Sequence, residues 1–293
     1  MNTYTKINTI YKRFMKLGDC PNPKWIMWQN KIIMGCFTDP AVKYLKDCLW
    51  EGYSKIDGTN SKICYFPSNA ELLVGGKTDK ASSQHGQFEM LQEIGGKIKP
   101  ELEKLFPKED AKFAPVKEGN KIQFVDKDGV PEELTENGLY CVYVNEVPVY
   151  IYGEYYGQGI QKCGGRYHDH NDFRVFDIDA QGWWVPSDIR NAWCKQLGLK
   201  TVPFIGIRTL TEFEKMVMDG FTTLVDGVKD PTLIEEGIVA RPVIPIKDAR
   251  GNRIIVKIKY CDYKEWAETR KQFTDEEYNE FLEWYKNNIE PID

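Results

Sequence analysis

Lys55-Ile56-Asp57-Gly58-Thr59-Asn60 (KIDGTN) is the stretch from which the rest of the chain is read. Asp57-Gly58 is a turn pair, and Ser61 to Phe66 follows as a β-prone run, so a strand enters a turn and a second strand returns. Asn69-Ala70-Glu71 makes the next turn, ahead of Leu72, Leu73 and Val74. Residues 50–75 are therefore expected to be extended. Lys55 at such a strand end has two readings: a solvated side chain beside a turn, or an amine held in place to react. The bare Lys-x-Asp-Gly pattern does not choose between them.

Outward from this hairpin, strands and helices are interspersed. Phe88, Leu91, Ile94, Ile98, Leu102 and Leu105 recur at helical spacing and predict a helix over 87–106, broken at Gly95-Gly96. The aromatic and β-branched run 139–156 predicts strands, and 172–179 another. Residues 186–198 and 209–219 read as helices, the first capped by Ser187, the second preceded by Thr209 or Thr211. Residues 252–260 alternate and predict a strand. Thr274-Asp275-Glu276-Glu277 is a capping box before Tyr278, Phe281, Leu282 and Tyr285, which predicts a charged terminal helix. At the other end, Ile7, Ile10, Tyr11 and Phe14 predict an amphipathic helix. No regular βαβ rhythm emerges, so the fold class is α+β.

Composition bounds the function. The chain has 293 residues, 42% of them hydrophobic and 28% charged, as ordinary globular proteins do. No run approaches the ~20 apolar residues of a membrane span, and residues 1–19 lack the pattern of a secretory signal. The 8 cysteines form no C-x-x-C pair, which argues against a zinc site or disulfide scaffold and for reduced thiols in a cytoplasmic protein. A net charge of -5 leaves room for a basic groove on an acidic body. His168-Asp169-His170 cannot all face one ion from a strand and reads as a surface loop.

Four further segments bear on Lys55. Glu154 sits inside VYIYGEYYGQGIQ (149–161), where a carboxylate among aromatic residues needs a partner, either a structural cation or a ligand. In DFRVFDID (172–179), Phe173 and Phe176 are three apart and face opposite sides of a strand. Both are core residues, or one of them is a stacking face for a base. Glu235-Glu236 leads into the apolar run Gly237 to Pro242, as an exposed strand start or as a functional carboxylate. Lys257 and Lys259 share one strand face, which suits either a solvated edge or a phosphate.

Taken in this order, the five segments resemble the signature motifs of the covalent nucleotidyltransferases. The chain looks most like the phage RNA ligase 2 group, on KIDGTN, GGKTDKA (75–81), YGEYYGQGIQ (152–161), DFRVFDI (172–178) and EGIVARP (236–242). The resemblance covers about residues 50–260. It implies a ligase adenylation domain of antiparallel sheets with flanking helices over 1–262, with 1–49 packed on it and a helical tail over 263–293. It also implies an ATP-dependent RNA ligase in RNA repair, with Mg2+ or Mn2+. Lys55 would take AMP from ATP, pass it to a 5′-phosphate, and leave a 3′-hydroxyl to seal the strand.

By the same resemblance, Lys257 and Lys259 balance phosphate charge. Asp57, Glu154 and Glu236 meet the metal through water, Glu154 alternatively holding a ribose hydroxyl. Phe176 stacks on adenine, Gly58 and Asn60 belong to the nucleotide-binding turn, and Lys77 touches phosphate. An amine attacks only when unprotonated, and a lysine of ordinary pKa, ~10.4, is free amine in under about one molecule in a thousand at neutral pH. Lys257, Lys259 and the metal are the cations that would shift that balance. The RNA ligase 2 pattern has Glu directly before the nucleophile as its adenine reader; Ser54 stands there, and no other reader is identified. The RNA partner is a nicked duplex or a broken structured RNA, with a partner protein still open. Two alternatives stand beside this: a compact DNA ligase, and an RNA- or nucleotide-binding module without catalysis.

Overall fold

Alternation of apolar and polar side chains over 50–76 is realised as three strands, and the chain changes compact unit between the first and the second of them. The structure, a computed structural model, describes residues 4–15, 21–78, 81–83, 85–107, 113–118, 121–126, 148–180, 182–248 and 250–288. One unit comprises residues 5–56 and 203–293, the other residues 1–4 and 57–202.

The first unit begins with β1 (Asn8–Thr9), β2 (Tyr11–Arg13), a 3-10 turn at Pro23–Trp28, β3 (Ile32–Phe37), α1 (Pro40–Leu45) and β4 (Trp50–Ser54). The amphipathic helix expected from Ile7, Ile10, Tyr11 and Phe14 is not formed; two short strands stand there instead. Ile10 and Tyr11 pack with Leu210, Phe213 and Ile258, whereas Phe14 packs with Trp25, Trp28 and Phe281. Helical spacing arose because neighbouring residues serve two clusters built from distant sequence, and tertiary burial overrides local periodicity.

The second unit contains β5 (Thr59–Phe66), β6 (Glu71–Gly76), α2 (Gln87–Leu105), β7 (Phe113–Glu118), β8 (Lys121–Asp126), β9 (Val149–Gly157), α3 (Gly164–Tyr167), β10 (Asn171–Ala180), β11 (Trp183–Trp184) and α4 (Ser187–Gln196). Five of the strands form an antiparallel sheet in the order β11-β10-β9-β5-β6. Ile63, Ile151, Tyr155, Phe173 and Val175 from the sheet share one core with Leu91, Ile98 and Leu102 of α2 and Cys194 of α4. The helix α2 runs through Gly95-Gly96 without the expected break. Gly95 faces the sheet, where a Cβ would stand 3.5 Å from Leu72 and 3.8 Å from Ile63, so close packing offsets the poor helix propensity of glycine. The α4 helix starts at Ser187 itself, after Pro186, without a side-chain cap. The part of the expected strand region covering 139–147 lies outside the described residues.

The chain then returns to the first unit with β12 (Phe204–Arg208), α5 (Leu210–Asp219), β13 (Gly237–Pro242), β14 (Val256–Lys259), α6 (Tyr260–Arg270) and α7 (Asp275–Asn288). The sheet order is β1-β14-β13-β4-β12, antiparallel except where β1 meets β14. The expected capping box of Thr274 with Glu277 is present before α7, and at the start of α5, expected at Thr209 or Thr211, Thr209 forms a capping box with Glu212. The strand expected over 252–260 is regular only at Val256–Lys259, because Tyr260 already begins α6. Among the described residues no helix is long and apolar enough to cross a membrane. Cys36, Cys64 and Cys194 are buried thiols, while Cys48 and Cys261 are exposed.

Candidate active site

In the unit of residues 5–56 and 203–293, the site grows from the end of β4. Ser54 is the register partner of Ile238 on β13, and the Lys55 N–H donates to the Gly237 carbonyl at 3.0 Å. That bond anchors the backbone of Lys55 one residue beyond the strand. Its side chain reaches Glu236, Nζ to Oε2 2.5 Å, while Lys259 meets the other oxygen, Nζ to Oε1 3.1 Å. One carboxylate thus spans two ammonium groups. All three side chains are partly covered, between 17% and 26% exposed.

Lys257 completes the cluster. It lies on the same face of β14 as Lys259, opposite Val239 in register, and makes no ion pair with any described residue. Burial, then the charges of Lys55, Lys259 and Arg13, hold its ammonium below the usual lysine range. Burial also works against Lys259, but Glu236, Cys261 and Asp262 outweigh it and hold that ammonium above its usual range. The arrangement is a half-buried cationic cluster with one carboxylate for three lysines, which suits an anion with several oxygens.

The residue before Glu236 faces another way. Glu235 is 1% exposed. Its Oε2 accepts from Thr223 Oγ1 at 2.8 Å, from Ser54 Oγ at 3.1 Å and from the Leu224 N–H at 3.4 Å. Its Oε1 is buried with no hydrogen-bond partner among the described residues. Burial pushes this carboxyl up to about 7, against the pull of its hydrogen bonds. The sequence reading took Glu236 and passed over its neighbour. The available signal was alternation: two adjacent carboxylates at a strand start point to opposite sides, so one of them faces inward.

In the unit of residues 57–202, the β5-β9-β10 sheet sets out its candidates in rows. Asn60, Glu154 and Arg174 are register partners across the three strands, and Lys62, Tyr152 and Asp177 form the next row on the same face. Glu154 is half-buried, and Asn60 Oδ1 is buried without a hydrogen-bond partner among the described residues. Gly58 explains its own place in the motif. A Cβ there would lie 2.5 Å from the Tyr155 carbonyl and 2.8 Å from Glu154 Cγ, so only glycine lets the turn lie against β9. The Asp57 N–H donates to Tyr167 Oη at 3.2 Å, which fixes the start of that turn.

Phe173 lies in the core with α2, whereas Phe176 meets Tyr4, which also contacts Tyr152. Val175 pairs with Gly153 and Asp177 with Tyr152, so Phe176 is the extra residue of a β-bulge. Its ring is half-buried and meets Tyr4 edge-on at 5.0 Å, and the Tyr4 hydroxyl donates to Asp177 Oδ2 at 2.5 Å. The Phe176 carbonyl is satisfied by the fully buried Arg190, Nη1 to O 2.7 Å. Replacing Arg190 with Met would orphan that carbonyl, and we expect a loss of about 2 kcal/mol or more of stability, read as a lower urea midpoint.

Within each unit the expected residues come together: Lys55, Glu236, Lys257 and Lys259 in one, Asp57, Gly58, Asn60 and Glu154 in the other. Lys77 stands apart, exposed just past Gly76 at the end of β6. The segment 168–170 is a loop, but His168 is buried, with His170 stacked on it at 4.9 Å. Tyr4, Lys62, Arg190 and Glu235 were not singled out from sequence; each carries a polar group into a buried position, which hydropathy does not flag.

Solved structures to which the chain is similar include RNA ligase structures of Naegleria gruberi. One, with ATP and Mn, is 16% identical at a TM-score of 0.49, over 79% of this chain and 55% of that chain. A second, with PPi, is 16% identical at 0.49, over 80% and 55%. A third, with AMP and Mn, is 16% identical at 0.49, over 79% and 55%. The chain therefore spans about half the length of the solved chains it matches. No curated protein matches it in sequence. Residues 50–259 match the family model described as RNA ligase, and the chain belongs to the RNA ligase family.

Proposed function

We propose that the chain is an ATP-dependent RNA ligase, joining 3′-hydroxyl to 5′-phosphate ends through AMP carried on Lys55, in RNA repair. The observation that carries this reading is the cluster around Lys55: a lysine fixed at its backbone, bridged through Glu236 to Lys259, beside Lys257, which pairs with no described carboxylate and whose charge burial and neighbouring cations disfavour. Such a group accepts a polyphosphate and returns an amine. Nζ of Lys55, as free amine, bonds to the α-phosphorus, the P–O bond breaks with its electron pair leaving on pyrophosphate, and the proton shed by the amine passes to the departing pyrophosphate or to water. Lys257 and Lys259 stabilise the charge spread over the transferring group. AMP then passes to the 5′-phosphate of the RNA, and attack by the 3′-hydroxyl expels AMP.

The carboxylates fit a divalent cation that keeps its water. Among the described residues no group of three His, Cys, Asp or Glu is placed to hold a metal directly. Asp57 and Glu154 are half-buried, and the Gly58 turn lies against Glu154, which suits carboxylates that meet Mg2+, or Mn2+, through water; Glu236 is assigned the same role. When bound, the metal supplies positive charge that favours free amine and neutralises phosphate. Asn60 Oδ1 and Glu154 are acceptors for ribose hydroxyls, Phe176 a face for the base, and Lys77 a phosphate contact. The substrate is a nicked duplex or broken structured RNA in the cytoplasm.

Incubation with magnesium and α-labelled ATP, followed by denaturing electrophoresis and peptide mapping, tests this. We expect label that survives denaturation and maps to the peptide of Lys55, with sealing of RNA ends in the same preparation. Absence of label from nucleotide-free protein, with ATP and with GTP, would sink the covalent reading.

A further inference from the structure

A buried carboxylate with one oxygen fully used and the other unused is an expensive arrangement in a folded core. Glu235 has it. Oε2 takes three donors, Ser54 Oγ, Thr223 Oγ1 and the Leu224 N–H, and no described group reaches Oε1. The carboxylate is thereby clamped to the residue that precedes Lys55, through the side chain of Ser54. Neighbouring Glu236 is engaged by Lys55 and Lys259, so the two carboxylates have separate duties.

We infer that Glu235 Oε1 is the acceptor for the exocyclic amine of the nucleotide base, and that it sets the choice of ATP over GTP. The inference rests on the proposed attachment of a nucleotide at Lys55, which brings a base into the neighbourhood of Ser54. One free oxygen matches one amino donor, as the 6-amino group of adenine offers. The guanine edge presents an oxygen at position 6 and spreads two donors beside it, which suits a carboxylate with both oxygens free. Here the second oxygen is already saturated. A site built to bond a donor rejects the analogue lacking it, because the buried acceptor is left unpaired.

Equilibrium binding to the full chain, with magnesium, of ATP, GTP and purine riboside 5′-triphosphate (adenosine triphosphate without its 6-amino group) tests the inference. Measured well above the value of about 7 to which burial raises the Glu235 carboxyl, where it is ionised, the wild type should bind ATP about ten- to hundredfold more tightly than the amine-less analogue, the range expected for a hydrogen bond to a charged group. Glu235→Gln should reduce that ratio to within about threefold, and Ser54→Ala, which loosens the clamp, should lower it part of the way. A purely structural Glu235 would weaken all three nucleotides together and leave the ratios unchanged, which overturns the inference. The wild-type comparison needs no variant to fold, so equal binding of ATP and the amine-less analogue overturns it as well. Selective binding without covalent label would overturn the lysyl-AMP reading and leave this one standing. Covalent label with equal affinity for ATP and the analogue would do the reverse. A wild type that binds none of the three refutes both.

Discussion

Lys55→Ala is expected to form no nucleotide adduct and to lose ATP-dependent sealing by at least about 10^3-fold, while keeping its fold. The amine is the only group that bonds to phosphorus in the proposed first step, so nothing in the site can substitute for it. Lys55→Arg should fail equally, since a guanidinium does not shed its proton in a protein. Stability should change by about 1 kcal/mol or less, because Glu236 retains Lys259 at 3.1 Å and the Lys55 pair is partly exposed. With one repelling charge removed, the Lys257 ammonium should rise toward the usual range. RNA supplied with a pre-adenylylated 5′ end bypasses the first step, so the Ala variant should still seal it. Gel assays of adduct and of both substrates, with a thermal melt, separate these outcomes. A variant that still forms the adduct would move the nucleophile elsewhere.

Gly237→Ala should be nearly as damaging, through the backbone. A Cβ at Gly237 would stand 1.9 Å from the Ile258 carbonyl oxygen and 3.0 Å from Lys259 Cα, so the strands must part. Gly237 is also the residue whose carbonyl holds the Lys55 N–H, and it is the register partner of Lys259. One methyl group therefore displaces two of the three lysines at once. Overpacking of this kind costs about 1–3 kcal/mol, and a misplacement near 1 Å costs roughly 10^2-fold in rate. We expect a lower urea midpoint and adduct formation reduced by about 10^2-fold or more. Wild-type rates in the Ala variant would show that the β13-β14 pairing does not set the geometry of the site.

These two cases show which parts of the molecule are visible in the sequence. Lys257 and Lys259 are legible because strand alternation has a period of two and puts both on one face, as found. The Lys-x-Asp-Gly turn is legible because Asp-Gly marks a turn locally, whereas the packing reason for its glycine, close approach to Glu154 and Tyr155, lies in distant sequence. Phe173 lies in the core and Phe176 meets Tyr4 with Tyr152 and Asp177, so the two face apart as alternation expects; the bulge at Phe176 leaves no mark in composition. The N-terminal strands were missed for a related cause. Their apolar residues are divided between partners near Leu210 and near Phe281, roughly two hundred residues away or more, and no local window holds that information. Glu235 was hidden by its neighbour, because burial of a polar side chain is decided by what folds over it.

The position of β4 has a bearing on how the protein is made. In its sheet β4 lies between β12 and β13, strands that leave the ribosome about 150 residues or more after it. A nascent chain that already exposes Lys55 therefore lacks the carbonyl of Gly237, the carboxylate of Glu236 and both companion lysines. The sheet of residues 57–202 has every strand within that span and can close first. If Lys55 is the proposed nucleophile, its reactivity would be withheld during translation, and a truncated product ending before Gly237 is expected to be inert toward nucleotide instead of partly active.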